Sequence, residues 1–236
     1  MGTEQKVAVI TGASGGIGSA LVKAYRERAY RVVAMALSEV SADDEDVLVV
    51  SGDIAERKTA ERAISQGLAR FGRIDTLINN AGIFIGKPFT QYTGADYAAM
   101  VGVNLAGFFH ITQLAIAEME KRRSGHIVQI TTSLVDHADS RIPSVLASLT
   151  KGGLAAATRS LAIEYARRGI RVNAVSPGHI KTPMHPAETY QALAATHPVG
   201  RVGEIDDIVG AILYLEGASF VTGEILHVDG GQSAGH

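Results

Sequence analysis

Short, almost wholly apolar runs alternate with longer segments of helical period along the chain, and this alternation constrains the fold more than any other feature. The apolar runs fall at 7–10, 32–36, 47–50, 76–78, 127–130, 171–174 and 225–228. Helical patterns cover 16–28, 56–71, 95–121, 145–168 and 205–215. A strand apolar on both faces must be covered on both faces, which a parallel sheet with crossover helices achieves. The expected fold is therefore α/β, a single doubly wound domain over residues 1–236 with a seven-stranded parallel sheet. Such folds bind ligands in a crevice outside the carboxyl ends of the strands. Every motif described below follows a strand.

Composition removes several classes of function. The chain contains no cysteine, which excludes disulfides, Cys-ligated zinc, iron–sulfur clusters and a thiol nucleophile. No histidine spacing suggests a metal site. The 22 basic and 24 acidic residues leave a net charge of −2. That balance argues against nucleic acid as a partner, which requires a basic face. Residues 1–6 are polar and lack the apolar core of a signal peptide. No run of about 18 uncharged apolar residues is expected to span a membrane. A cytoplasmic protein acting on a small molecule is the default expectation. The charge runs at 43–46 and 121–123 read as solvated loops.

The first strand leads into Thr11-Gly-Ala-Ser-Gly-Gly-Ile-Gly18. Gly12, Gly16 and Gly18 permit a tight turn and close approach of backbone to a pyrophosphate, and the helix opening near Gly16 points N–H groups at that anion. This turn predicts dinucleotide binding. Its spacing, with Asn79-Asn-Ala-Gly82 after the fourth strand, Asn104, Pro177-Gly178 and the ending Val221-Thr-Gly-Glu-Ile-Leu-His-Val-Asp-Gly-Gly231, resembles the classical short-chain dehydrogenase/reductase family. The likeness is to its β-ketoacyl-carrier-protein-reductase-like branch and runs the full chain. It implies a Rossmann fold and a set of cofactor-binding residues. These are Gly12, Ser14, Gly16, Ile17 and Gly18 at the turn; Ser38; Asp53 and Ile54 at the adenine; Asn80, Ala81 and Gly82; Lys151; and Pro177, Gly178, Ile180 and Thr182 at the nicotinamide. Members that prefer NAD carry an acid at the end of the second strand. Here that stretch reads Ala34-Met-Ala-Leu-Ser-Glu39, with apolar residues at the expected place. Ser38 suits a 2′-phosphate and Glu39 a 2′-hydroxyl, so NADP is favoured and NAD stays open.

The resemblance implies hydride transfer between a nicotinamide and a carbonyl or alcohol carbon. In the family a tyrosine phenol is the acid/base, a serine holds the carbonyl oxygen, a lysine binds the ribose and lowers the phenol pKa, and an asparagine joins the proton relay. Asn104 and Lys151 stand at the matching places. Four residues before Lys151, where the phenol belongs, stands Ala147. Because alanine ends at Cβ, the space in front of Lys151 is expected to be wide. Tyr165 is 14 residues beyond Lys151 on the same helical pattern, too far to substitute. Thr132 aligns with the serine and Ser133 follows it; alternation along a strand lets one of them face a substrate. The loop over 134–143 is longer than in the family and holds His137 beside Asp136. An imidazole near its ordinary pKa suits acid/base work, so His137 is a candidate donor, with Ser144, Ser148, Tyr190 and His185 as weaker ones. The other histidines read as structural. Two readings follow: an oxidoreductase with a proton donor other than the family's tyrosine, or a dinucleotide-binding sensor or scaffold with little turnover. The resemblance also implies a homotetramer.

Overall fold

The computed structural model describes residues 5–38, 44–184 and 186–235. Asp43, Glu39, His185 and His236 lie outside the described residues. The elements run β1 (Val7–Thr11), α1 (Gly16–Glu27), β2 (Arg31–Ala36), β3 (Val47–Ser51), α2 (Arg57–Phe71), β4 (Thr76–Asn79), α3 (Gly94–Val101), α4 (Gly107–Arg122), β5 (Gly125–Ile130), α5 (Val145–Tyr165), β6 (Ile170–Pro177), α6 (Tyr190–Ala194), α7 (Ile205–Gly217) and β7 (Ile225–Val228). The strands form one seven-stranded sheet in the order β3-β2-β1-β4-β5-β6-β7. Every pairing is parallel. Winding reverses between β1 and β4, which places a crevice at their carboxyl ends.

Successive side chains of a strand face opposite sides, and β1 supplies both cores. Val7 and Val9 pack with Ala60 and Ile64 of α2 and Ile111 and Met119 of α4. Ala8 and Ile10 pack with Leu21 and Tyr25 of α1 and Ile208 and Ile212 of α7. Burial on both faces is why the strands read as apolar runs rather than as alternation.

Three differences from the sequence pattern have physical causes. β6 continues to Pro177, because Ser176 is fully buried and Ala174 to Pro177 stay in register with β7. The polarity of Ser176 and the proline after it had ended the apolar run. The 95–121 helix is two helices joined by a π turn, Gly102–Ala106, and α3 begins at a capping box between Thr93 and Asp96. The 29-residue stretch Gly94–Arg122 is by length and composition apolar enough to cross a bilayer, contrary to the expectation above. It is a core helix: Ile111, Ala115, Ile116 and Met119 lie against the sheet. Within the 43–46 charge run, Asp44 and Asp46 hold Arg26 at 2.7 and 2.9 Å rather than standing free in solvent.

Candidate active site

The glycine-rich turn is fixed from below by the end of β4. Thr11 Oγ1 accepts from the N–H groups of Asn80 and Ala81, at 3.0 and 2.9 Å. Asn80 Nδ2 donates to the carbonyls of Thr11 and Gly12. Gly12 and Gly16 have φ of +66° and +54°, in the left-handed region open to glycine. A Cβ on Gly18 would lie 2.0 Å from the Gly12 carbonyl oxygen, so glycine there lets α1 close onto the turn. Gly15, the N-cap of α1, is extended and its helix start has no side-chain cap. The first N–H groups of the helix are thus left for an anion. A Cβ on Gly15 would meet nothing within 4 Å, and one on Gly16 would meet only Thr182 and Pro183, at 3.7 Å or more. Room of that kind beside uncapped N–H groups fits a pyrophosphate.

The remaining predicted cofactor residues divide by exposure. Ser14 and Ser38 are exposed, Leu37 is 75% exposed, and Ile17 is half-buried against the α1–α7 core. Asp53 is exposed and its Oδ1 accepts from Ala55 N, which orders the turn after β3. Ile54 packs against Gly107, where a Cβ would come within 3.0 Å. Pro177 closes β6, and a Cβ on Gly178 would lie 2.5 Å from His197 Nε2. Ile180 is buried and bridges to Gly203, and Thr182 Oγ1 accepts from Met184 N at 3.4 Å.

Asn104 lies in the π turn and is 1% exposed. Its amide accepts from Ile83 N at 2.9 Å and donates to Ile83 O and Thr150 Oγ1. This ties the π turn to the Asn-Asn-Ala-Gly segment and to α5. Lys151 Nζ donates to Ile130 O at 2.7 Å. A Cβ on Gly82 would lie 3.0 Å from that Nζ and 3.3 Å from Asn104 Oδ1, so the ammonium rests over bare backbone. Burial alone pushes Lys151 down to about 8.

Thr132 and Ser133 are separated by their partners. Ser133 is buried and donates to Gln232 Oε1 at 2.9 Å, linking β5 to the C-terminal 3₁₀ turn. Thr132 caps the short 3₁₀ turn Ser133–Val135, with its Oγ1 at 3.4 Å from Leu134 N, a long contact that leaves the hydroxyl proton available. His137 N donates to Ser133 O, so the loop folds back on itself, and Asp136 pairs with His227 at 3.1 Å. Ser148 donates to Leu134 O. The wide space expected at Ala147 is filled instead. Ala147 is 4% exposed, in a cluster with Met100 and Leu146 against which Ile83, Ile85 and Tyr92 pack. Tyr92 went unnoticed in the sequence because it lies in a loop far from Lys151 in order; its hydroxyl donates to Ile85 O at 2.7 Å.

A further cavity of about 190 Å³ is lined by His179, His197, His227 and Asp229, among others. His197 Nε2 accepts from His179 N and its Nδ1 donates to Leu193 O, and burial pushes its pKa down. This histidine is a structural group, as expected.

Fold and cradle together define a doubly wound α/β protein shaped for a dinucleotide. A family profile described as enoyl-(acyl carrier protein) reductase matches residues 12–233. The chain is 35% identical over 247 residues to the (2S)-[(R)-hydroxy(phenyl)methyl]succinyl-CoA dehydrogenase subunit BbsD of Thauera aromatica, covering 99% of this chain and 98% of that one. It is 30% identical to 3-ketoacyl-(acyl-carrier-protein) reductase from Brucella melitensis complexed with NADH, with a TM-score of 0.90 over 98% of this chain and 99% of that one. Against ElxO with NADP bound the TM-score is 0.91 at 27% identity, over 98% of this chain and 100% of that one. The chain belongs to the short-chain dehydrogenase/reductase family, in its ketoacyl-reductase-like branch.

Proposed function

We propose that this protein is an oxidoreductase that moves a hydride between NADP and a carbonyl or alcohol carbon of a small molecule, using a proton donor other than a phenol at position 147. NAD is the second cofactor. The observation that carries the reading is the juxtaposition of Lys151 Nζ, Asn104 and Gly82 beside a glycine turn shaped for pyrophosphate. The relatives' names support a carbonyl or alcohol as the substrate, and ElxO with NADP bound, together with the apolar end of β2, supports NADP.

The residues divide the work. Gly12, Gly16, Gly18 and the start of α1 hold the pyrophosphate. Asp53 and Ile54 border the adenine, Pro177, Gly178, Ile180 and Thr182 border the nicotinamide, and Lys151 meets the ribose. When bound, the cofactor supplies or accepts the hydride. Thr132 holds the carbonyl oxygen, and Asn104 fixes the turn that carries Gly82. The exposed apolar side chains Tyr97, Phe109, Leu149 and Ile163 on α3, α4 and α5 support a homotetramer.

Oxidation of NADPH followed with a panel of ketones and ketoacyl thioesters tests the reading. Substrate-dependent oxidation is expected, faster with NADPH than with NADH. Saturable NADPH binding with no turnover on any substrate would overturn it in favour of a binding protein, the outcome that Ala147 alone favours.

A further inference from the structure

Resting on that reading, the remaining question is which group protonates the substrate oxygen. The candidate hydroxyls near α5 have other commitments, and the candidate imidazole sits on a loop outside that helix. Ser148 donates to Leu134 O, and Ser133 to Gln232. His137 belongs to the loop after β5, whose backbone hydrogen-bonds to Ser133 O. Tyr92, the phenol that packs against the Ala147 cluster, donates its proton to Ile85 O.

Lys151 is placed differently. Its Nζ sits between the ends of β4 and β5, at 2.7 Å from Ile130 O and directly over Gly82. Ile130 is two residues from Thr132, so one short segment of backbone holds the ammonium and the hydroxyl that orients the carbonyl. Among the described residues, the groups placed beside Nζ are the Ile130 carbonyl of β5, the Gly82 backbone and the Asn104 amide of the π turn. None of them titrates. In an enzyme with a phenol at position 147 the lysine acts through that phenol; here the side chain at 147 is a methyl group.

We propose that the Lys151 ammonium is itself the general acid, giving its proton directly to the carbonyl oxygen held by Thr132. Its pKa of about 8 is consistent with this role, since a general acid works best near the operating pH. In the reductive direction the dinucleotide, when bound, would supply a hydride to the carbonyl carbon, and the C=O π pair would move onto oxygen. Lys151 gives that oxygen one proton, becomes a neutral amine, and regains a proton from solvent water. One carbonyl, one reduced dinucleotide and one proton give one alcohol and one oxidised dinucleotide.

The test compares the wild type, Lys151→Arg and Tyr92→Phe in the full-length protein. Arginine keeps the positive charge at the ribose but holds its proton too tightly to donate. NADPH binding, read by fluorescence, is expected to survive in Lys151→Arg, while kcat falls about 10²–10⁴-fold. The wild-type kcat/KM for reduction should decline above about pH 8, and that limb should vanish in the arginine variant. A Lys151→Arg protein that binds NADPH and keeps its rate within about tenfold would overturn the proposal, since that is less than a general acid contributes. Loss of rate in Tyr92→Phe with the rate kept in Lys151→Arg would assign the acid to that phenol instead. NMR titration of the Lys151 ε-carbon in the wild type is an arm independent of any variant's folding. Titration near 8 supports the proposal, and titration at the ordinary lysine value of about 10.4 overturns it. Absence of turnover in the wild type would overturn the proposed function itself, a result separate from all of these.

Discussion

The two ends of the sheet treat buried polar groups in opposite ways. At the amino end, Glu216 near the end of α7 gathers four donors, from α1, the turn before β2, β4 and β5. It accepts from Tyr25, Tyr30 and Thr76 and from His126 Nδ1, the last at 2.8 Å. Asn173 donates to His126 Nε2, so the neutral Nδ1–H tautomer satisfies both of its partners. Arg171 caps α7 by donating to the carbonyls of Leu215 and Glu216. At the carboxyl end two groups are left with capacity to spare: the α1 start has no side-chain cap, and the Lys151 ammonium donates to the Ile130 carbonyl beside bare Gly82. One end joins the layers and the other is left for a ligand. The difference teaches that a buried charge with many partners reads as architecture, whereas one beside bare glycine reads as function.

The largest expected effect probes the amino end. Glu216→Ala strands four donors in the core and should cost about 3–5 kcal/mol of unfolding free energy, with NADPH affinity unchanged. Burial pushes the Glu216 carboxyl up, and the hydrogen bonds from His126, Tyr30 and Thr76 overcome that and bring it down to about 2. Its folded pKa thus lies below the unfolded value of about 4.3, so its contribution is present above pH ~4.3 and is lost as the pH falls towards 2. Burial pushes His126 down as well, which removes further stability as the pH falls below ~6.5. Urea midpoints between pH 7 and pH 3 should therefore drop more steeply in the wild type than in Glu216→Ala. Parallel curves would break the comparison.

The next effect probes the carboxyl end. Gly18→Val drives a side chain into the Gly12 carbonyl and should weaken NADPH binding by at least ~100-fold, about 2.7 kcal/mol, in a protein that still folds. Calorimetry reads this directly, and unchanged affinity would remove the turn from the site. The smallest effect separates two neighbours. Ser133→Ala leaves Gln232 without its donor and should cost about 1–3 kcal/mol in stability. Thr132→Val removes only a long cap contact, so it should cost about 0.5 kcal/mol, the low end for a lost cap, and lower kcat/KM. Equal stability costs would erase the distinction between them.

Much of the site was legible because it is local. Gly12, Gly16 and Gly18 carry their reason in a single turn, and Lys151 with Ala147 lies on one helix. Tyr92 and Gln232 were not legible, because each meets its partners across a long stretch of sequence. The choice between Thr132 and Ser133 also escaped, since alternation says that they diverge but not which faces the crevice.

The sequence by itself determined the seven apolar strands, their helical crossovers and the phosphate turn, because periodicity and glycine act over a few residues. Only the tertiary structure decided the π turn that sets Asn104, the apolar packing around Ala147, the pairing of Ser133 with Gln232 and the convergence on Glu216. Those depend on which side chains meet when distant segments pack, and a buried polar group shows its purpose only through its partners.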